Sequence, residues 1–155
     1  MRALTFTLSV TVILLSGCHR DSSKVRVVPL SFYVVSEGKV EGGRFIDAPN
    51  FPKLGYIAAV PDLVITRLET VTLFTSEPHS REWPALSIVL RSGDAPQFTA
   101  LTERAVGKKL LLMLGDSPLT APMVVERIPA ASLMLTFGKG TDSEKLIGGL
   151  KKLVH

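Results

Sequence analysis

Residues 97–137, QFTALTERAVGKKLLLMLGDSPLTAPMVVERIPAASLMLTF, decide how this chain folds. The first third predicts a helix. Ser92-Gly93-Asp94 ends the preceding apolar run, and Pro96 suits a first helical turn, where its missing N–H has no intrahelical partner to lose. Phe98, Leu101, Ala105 and Val106 recur at helical spacing and make one apolar face. Gly107 suits the C-terminal cap, and Lys108-Lys109 suit the negative end of the helix dipole. Then comes LLLML, residues 110–114, a continuous apolar run between a glycine stop and Gly115-Asp116-Ser117. A run this short with such borders predicts a central strand rather than a helix. Pro118, Pro122 and Pro129 bar a helix beyond it, so residues 123–128 and 132–137 are expected to be extended strands.

The flanks supply what this unit needs for packing. Residues 25–36 (VRVVPLSFYVVS) are β-branched and aromatic and predict a strand, with Pro29 marking an edge or a break. Residues 37–52 (EGKVEGGRFIDAPNFP) are rich in Gly and Pro and are expected to form a surface loop. Residues 56–60, 63–75 and 85–91 predict further strands, with residues 77–84 a loop before the last. A final helix opens at Thr141-Asp142-Ser143-Glu144, the pattern of a capping box in which hydroxyl and carboxylate answer each other's backbone N–H. Leu146, Ile147, Leu150 and Leu153 form its buried stripe. Gly148-Gly149 weakens that helix, and close packing on a sheet is the expected reason.

Composition narrows the classes. A length of 155 residues allows one domain with a real core, and 46% hydrophobic against 21% charged residues is a globular balance. The net charge of +4 comes from scattered Lys and Arg without interleaved aromatics. That pattern argues against nucleic acid and for solvated surface. One cysteine excludes an internal disulfide.

The N-terminus reads as a targeting segment. Met1-Arg2 is followed by an apolar run, residues 3–15 (ALTFTLSVTVILL), too short to span a bilayer unaided. Leu15-Ser16-Gly17-Cys18 resembles the lipobox of bacterial lipoproteins. The resemblance implies a signal peptide over residues 1–17, cleavage before Cys18, and a diacylglycerol on its thiol, with further acylation such as palmitate on the new amine. Multiple acyl chains would anchor the protein stably to a membrane. Residues 18–24 are then the lipidated cysteine and a polar tether, and residues 25–155 the folded domain. His19 follows the cysteine where the enteric sorting rule places Asp for inner-membrane retention, so the outer membrane, facing the periplasm, is favoured.

The folded part resembles the head subdomain of the first periplasmic domain of SecD, the protein-export membrane subunit. The family pattern is a helix ending in Thr and Gly-Lys, an apolar strand, an Asp-Gly turn, Ser-Ala-Pro, an Ile- and Gly-bearing return strand, and a helix opening with Thr or Ser and acidic residues. Here stand Phe98, Thr102, Gly107-Lys108, residues 110–114, Thr120-Ala121-Pro122, Ile128, residues 136–138 and residues 141–150. Upstream, Leu30-Ser31-Phe32-Tyr33-Val34-Val35 is similar to the family's opening strand. The chain departs from the pattern at Gly115-Asp116, at Pro118 and at Ala130-Ala131. The resemblance covers the head alone, not SecD's transmembrane helices, so no proton-driven motor is expected.

Candidate chemistry is sparse. Of three histidines, His19 lies in the tether and His155 ends the chain. His79 and Glu82 share a loop, but nothing adjacent completes a metal set. Gly138-Lys139-Gly140 precedes a helix, which a loop feeding the capping box explains. Asp116 fits a turn. A hydrolase built on Asp116 or His79 is the remaining enzymatic alternative.

The expected fold is therefore α+β, an antiparallel or mixed sheet with two helices on one face. The expected function is that of an envelope lipoprotein, not an enzyme, without cofactor or metal, which binds polypeptide or an envelope protein through a sheet edge or apolar groove. A structural accessory subunit of one complex is the alternative. Phe45, in the loop 37–52, and Ser117 and Leu119, at the hairpin tip, are the candidate partner-binding residues.

Overall fold

The structure is a computed structural model that describes residues 28–74, 85–129, 131–136 and 143–154. In chain order the elements are β1 (Leu30–Val34), β2 (Arg44–Ala48), β3 (Phe51–Ile57), β4 (Leu63–Ile65), β5 (Leu68–Phe74), β6 (Ala85–Leu90), α1 (Ala95–Arg104), β7 (Leu110–Leu114), β8 (Ser117–Thr120), β9 (Ser132–Thr136) and α2 (Ser143–Lys151). The strands form a four-stranded sheet in the order β4-β1-β7-β8, a β2-β3 hairpin, and a three-stranded sheet in the order β5-β6-β9. Every pairing is antiparallel.

The four-stranded sheet is the middle layer. Leu30, Phe32 and Val34 of β1 stand opposite Leu114, Leu112 and Leu110 of β7. Their shared face enters the main core with Phe98 and Leu101 of α1, Leu146 and Leu150 of α2, and Leu86 and Ile88 of β6. The Phe32 and Phe98 rings meet edge to face with centroids 5.5 Å apart, a favourable aromatic geometry. The opposite face carries Tyr33, Leu111 and Met113, which pack against Ile46 and Ile57 of the hairpin. Strand β7 thus lies between two cores. This explains why LLLML shows no polar alternation: Leu110 to Met113 are each at most 3% exposed.

Both helices lie on the main-core side, as expected for the α+β class. Leu146, Ile147, Leu150 and Leu153 are buried on α2, and Gly107 takes the left-handed φ of 77° that ends α1. The close-packing reason holds for Gly149, where a Cβ would stand 2.6 Å from Leu114 Cδ2, but Gly148 faces open space. The capping box at residues 141–144, the loop 77–84 and the leader lie outside the described residues or side chains.

Four expectations are corrected. The loop 37–52 contains β2 and the start of β3, because Phe45 and Ile46 pair across to Tyr56 and Gly55. Pro52 is tolerated there because a two-stranded hairpin has only edge strands. Residues 63–75 are two strands in different sheets, β4 and β5, rather than one. Residues 56–60 are strand only to Ile57. Residues 123–128 are not a strand. Bracketed by Pro122 and Pro129, they wrap the end of α1: the Val124 N–H donates to the Lys108 carbonyl at 2.9 Å, and the Gly107 N–H to the Val124 carbonyl at 2.8 Å. The return partner of β7 is instead β8, whose Pro118 sits on the sheet edge.

Candidate functional site

The crossover that runs from β8 to β9 leaves a groove. Its floor is made by Phe32, Phe98, Leu110 and Leu112, and one wall by residues 122–126 with Ile128. The other wall is four consecutive residues of β9, Ser132 to Leu135, whereas no residue of its partner β6 takes part. The groove therefore borders the edge of β9 that faces away from β6. Among the described residues no strand pairs with that edge. A free edge presents alternate N–H and C=O groups to an incoming strand. The cavity has a volume of about 390 Å³, and Glu126 is the only charged residue among its described lining residues.

The rim is unusually apolar for a surface. Met123, Val125 and Met134 are 53%, 82% and 60% exposed, and all three border the groove. On β9, Leu133 and Leu135 point into the core while Met134 takes the outward phase. A large apolar residue in the outward phase is the sequence signal that could have located this surface. The crossover itself is pinned by Thr102, which is fully buried on α1. Its hydroxyl donates to the Thr99 carbonyl and accepts the Ile128 N–H.

A second cavity, of about 510 Å³, lies between the β2-β3 hairpin and the bend after α1. Phe45, Leu54 and Met123 give it apolar wall, and Lys53, Lys108 and Lys109 give it cations. Met123 borders both cavities.

The three partner-binding candidates are not brought together. Phe45 is on β2, 46% exposed, stacked edge to face on Tyr56 with ring centroids 4.9 Å apart, and it lines the second cavity. Ser117 opens β8 opposite Leu114 and is exposed. Leu119 is half-buried and packs on the main core. Asp116 is exposed in the β7-β8 turn beside Gly115, whose φ is 59°. Cys18, His79, Glu82 and residues 138–140 lie outside the described residues. Among the described residues no group of three or more His, Cys, Asp or Glu could hold a metal, and no helix is long and apolar enough to cross a membrane.

Solved structures share this arrangement. One, described as "Structure and function of a membrane component SecDF that enhances protein export", superposes with a TM-score of 0.56 over 81% of this chain and 61% of that chain, at 17% identity. The chain has a SecD-head-like fold. A second, "Crystal structure of SecDF in Super-membrane-facing form", has a TM-score of 0.57, 17% identity, and covers 81% of this chain and 18% of that one. The SecD-head-like chain thus spans less than two thirds of either SecDF chain. No protein-family description and no curated protein matches the sequence.

Proposed function

We propose that this protein is a non-catalytic envelope lipoprotein whose SecD-head-like module captures extended polypeptide. Cys18 carries the lipid, the tether holds the module at the membrane surface, and the module faces the periplasm. The observation that carries this reading is the apolar groove beside the edge of β9 that pairs with no strand among the described residues, rimmed by Met123, Val125 and Met134. An extended segment can add to a free edge through its backbone while its apolar side chains enter the groove. Backbone pairing is indifferent to sequence, which suits a module that meets many chains. That SecDF is described as enhancing protein export supports placing the activity near exported chains.

Photo-crosslinking in the native envelope tests this. Probes go at Val125 and Met134 on the groove rim, and at Phe45, Ser117 and Leu119. Adducts to a spread of exported chains at Val125 and Met134 support capture. One discrete adduct at all positions makes the protein an accessory subunit of one envelope complex. Absence of any adduct at the groove positions removes the capture reading.

A further inference from the structure

We infer that the lysine-lined cavity is a second subsite, which takes the carboxylates of an acidic segment adjoining the apolar segment in the groove. The inference rests on the capture reading and adds the charge of the polypeptide that is captured.

Three observations carry it. The first is charge. Lys53, Lys108 and Lys109 border the cavity, and Glu37 is the only carboxylate among its described lining residues. Among the described residues none of the three ammonium groups has an ion-pair partner. An excess of cations around a concave site concentrates field and favours an anion.

The second is placement. Lys53 holds a φ of 50°, a left-handed conformation that disfavours any residue with a Cβ. Its N–H is tied to Asp47 Oδ1 at 3.1 Å, which stabilises that turn. Lys108 and Lys109 sit on the bend after Gly107, held from two sides. The Val35 N–H donates to the Lys109 carbonyl at 2.9 Å, and the Val124 N–H to the Lys108 carbonyl at 2.9 Å. Backbone from two separate parts of the fold thus brings these lysines to one cavity. The turn fixes where Lys53 meets the cavity wall.

The third is continuity. Met123 is shared by both cavities and bridges to Lys109. A strand leaving the groove past Met123 therefore meets the lysine cavity on the other side of that residue. At about 3.3 Å per residue, acidic side chains next to the apolar stretch fall among the ammonium groups. Phe45 and Leu54 give the cavity apolar wall on which the aliphatic stems of those side chains can pack. An acidic peptide fits this combination, since it supplies extended backbone, an apolar stretch and carboxylates in one chain.

The test uses the full-length protein in nanodiscs of neutral lipid. Three labelled peptides share one apolar core and carry flanks of Asp/Glu, of Ser or of Lys. Fluorescence anisotropy is expected to give about tenfold tighter binding for the acidic flanks than for the serine flanks, from a few exposed charge contacts. The triple variant K53Q/K108Q/K109Q should lose that advantage and keep its affinity for the serine-flanked peptide. Raising the ionic strength to about 1 M, where the screening length is about 3 Å, should remove the advantage in the unaltered protein. Equal binding of the acidic and serine peptides overturns the subsite and leaves capture standing, provided V125D weakens both. Failure of every peptide to bind removes capture and the subsite together. Binding to phosphatidylglycerol vesicles that the triple variant loses, without any preference for acidic peptide, assigns the lysines to lipid and also overturns the inference.

Discussion

The Thr102 hydroxyl, wholly buried on α1, accepts the Ile128 N–H at 3.0 Å and donates to the Thr99 carbonyl at 2.9 Å. This contact ties the helix to the crossover that walls the apolar groove. Thr102→Val removes the acceptor and leaves the Ile128 N–H unpaired. The expected loss is about 1–3 kcal/mol in urea unfolding. Proteolytic nicking within residues 123–129 should rise with it. Thr102→Ser keeps the oxygen and should retain most of the stability.

The two glycines of α2 are expected to separate. Gly148 faces open space, so Gly148→Ala gains helix propensity and should raise stability by about 0.5–1 kcal/mol. At Gly149 a Cβ would come within 2.6 Å of Leu114 Cδ2, so Gly149→Ala offsets the same gain with crowding and should not stabilise. Thermal unfolding of the two variants side by side checks the contrast.

Lys53 should show stability and binding pulling in opposite directions. Lys53→Gly relieves the left-handed conformation, at about 1–2 kcal/mol, against the added chain entropy of glycine, so a net gain of up to about 1 kcal/mol is expected. The same change removes one cation from the cavity and should weaken binding of the acidic-flanked peptide. Calorimetry and anisotropy on one variant measure both.

The groove rim should behave as surface. Val125→Asp and Met134→Asp alter residues 82% and 60% exposed, and should change stability by no more than about 0.5 kcal/mol. Peptide affinity should nevertheless fall several-fold in each, because the groove they border loses apolar contact and gains a carboxylate. A large loss of stability would mean that these side chains serve the core instead.

Cys18→Ser removes the only thiol in the chain. Incorporation of labelled palmitate in growing cells is expected to be lost completely. Retained labelling would remove the proposed anchor at Cys18.

Several of these features are legible in the amino-acid sequence alone. The LLLML run, the stripe of α2 and the glycine that ends α1 each follow from neighbours along the chain. Burial, helical period and backbone conformation are written in adjacent residues. The likeness to the SecD head is legible in the same way. The hairpin of β2 and β3 is not, because its Gly- and Pro-rich composition masks the pairing of Phe45 with Tyr56. Residues 123–128 mislead for a related reason. Their apolar side chains suit a sheet, but their backbone hydrogen bonds go to Lys108 and Thr102.

The sequence by itself determined that LLLML and the stripe of α2 are buried, where α1 begins and ends, and that the fold is of the α+β class. Only the tertiary structure decided that β7 lies between two cores, that β9 keeps one edge free among the described residues, and that Lys53, Lys108 and Lys109 border one cavity. The physical reason is range. Local pattern follows from residues within a turn or a strand of each other, whereas a groove or a charged cavity exists only where distant backbone segments are held side by side.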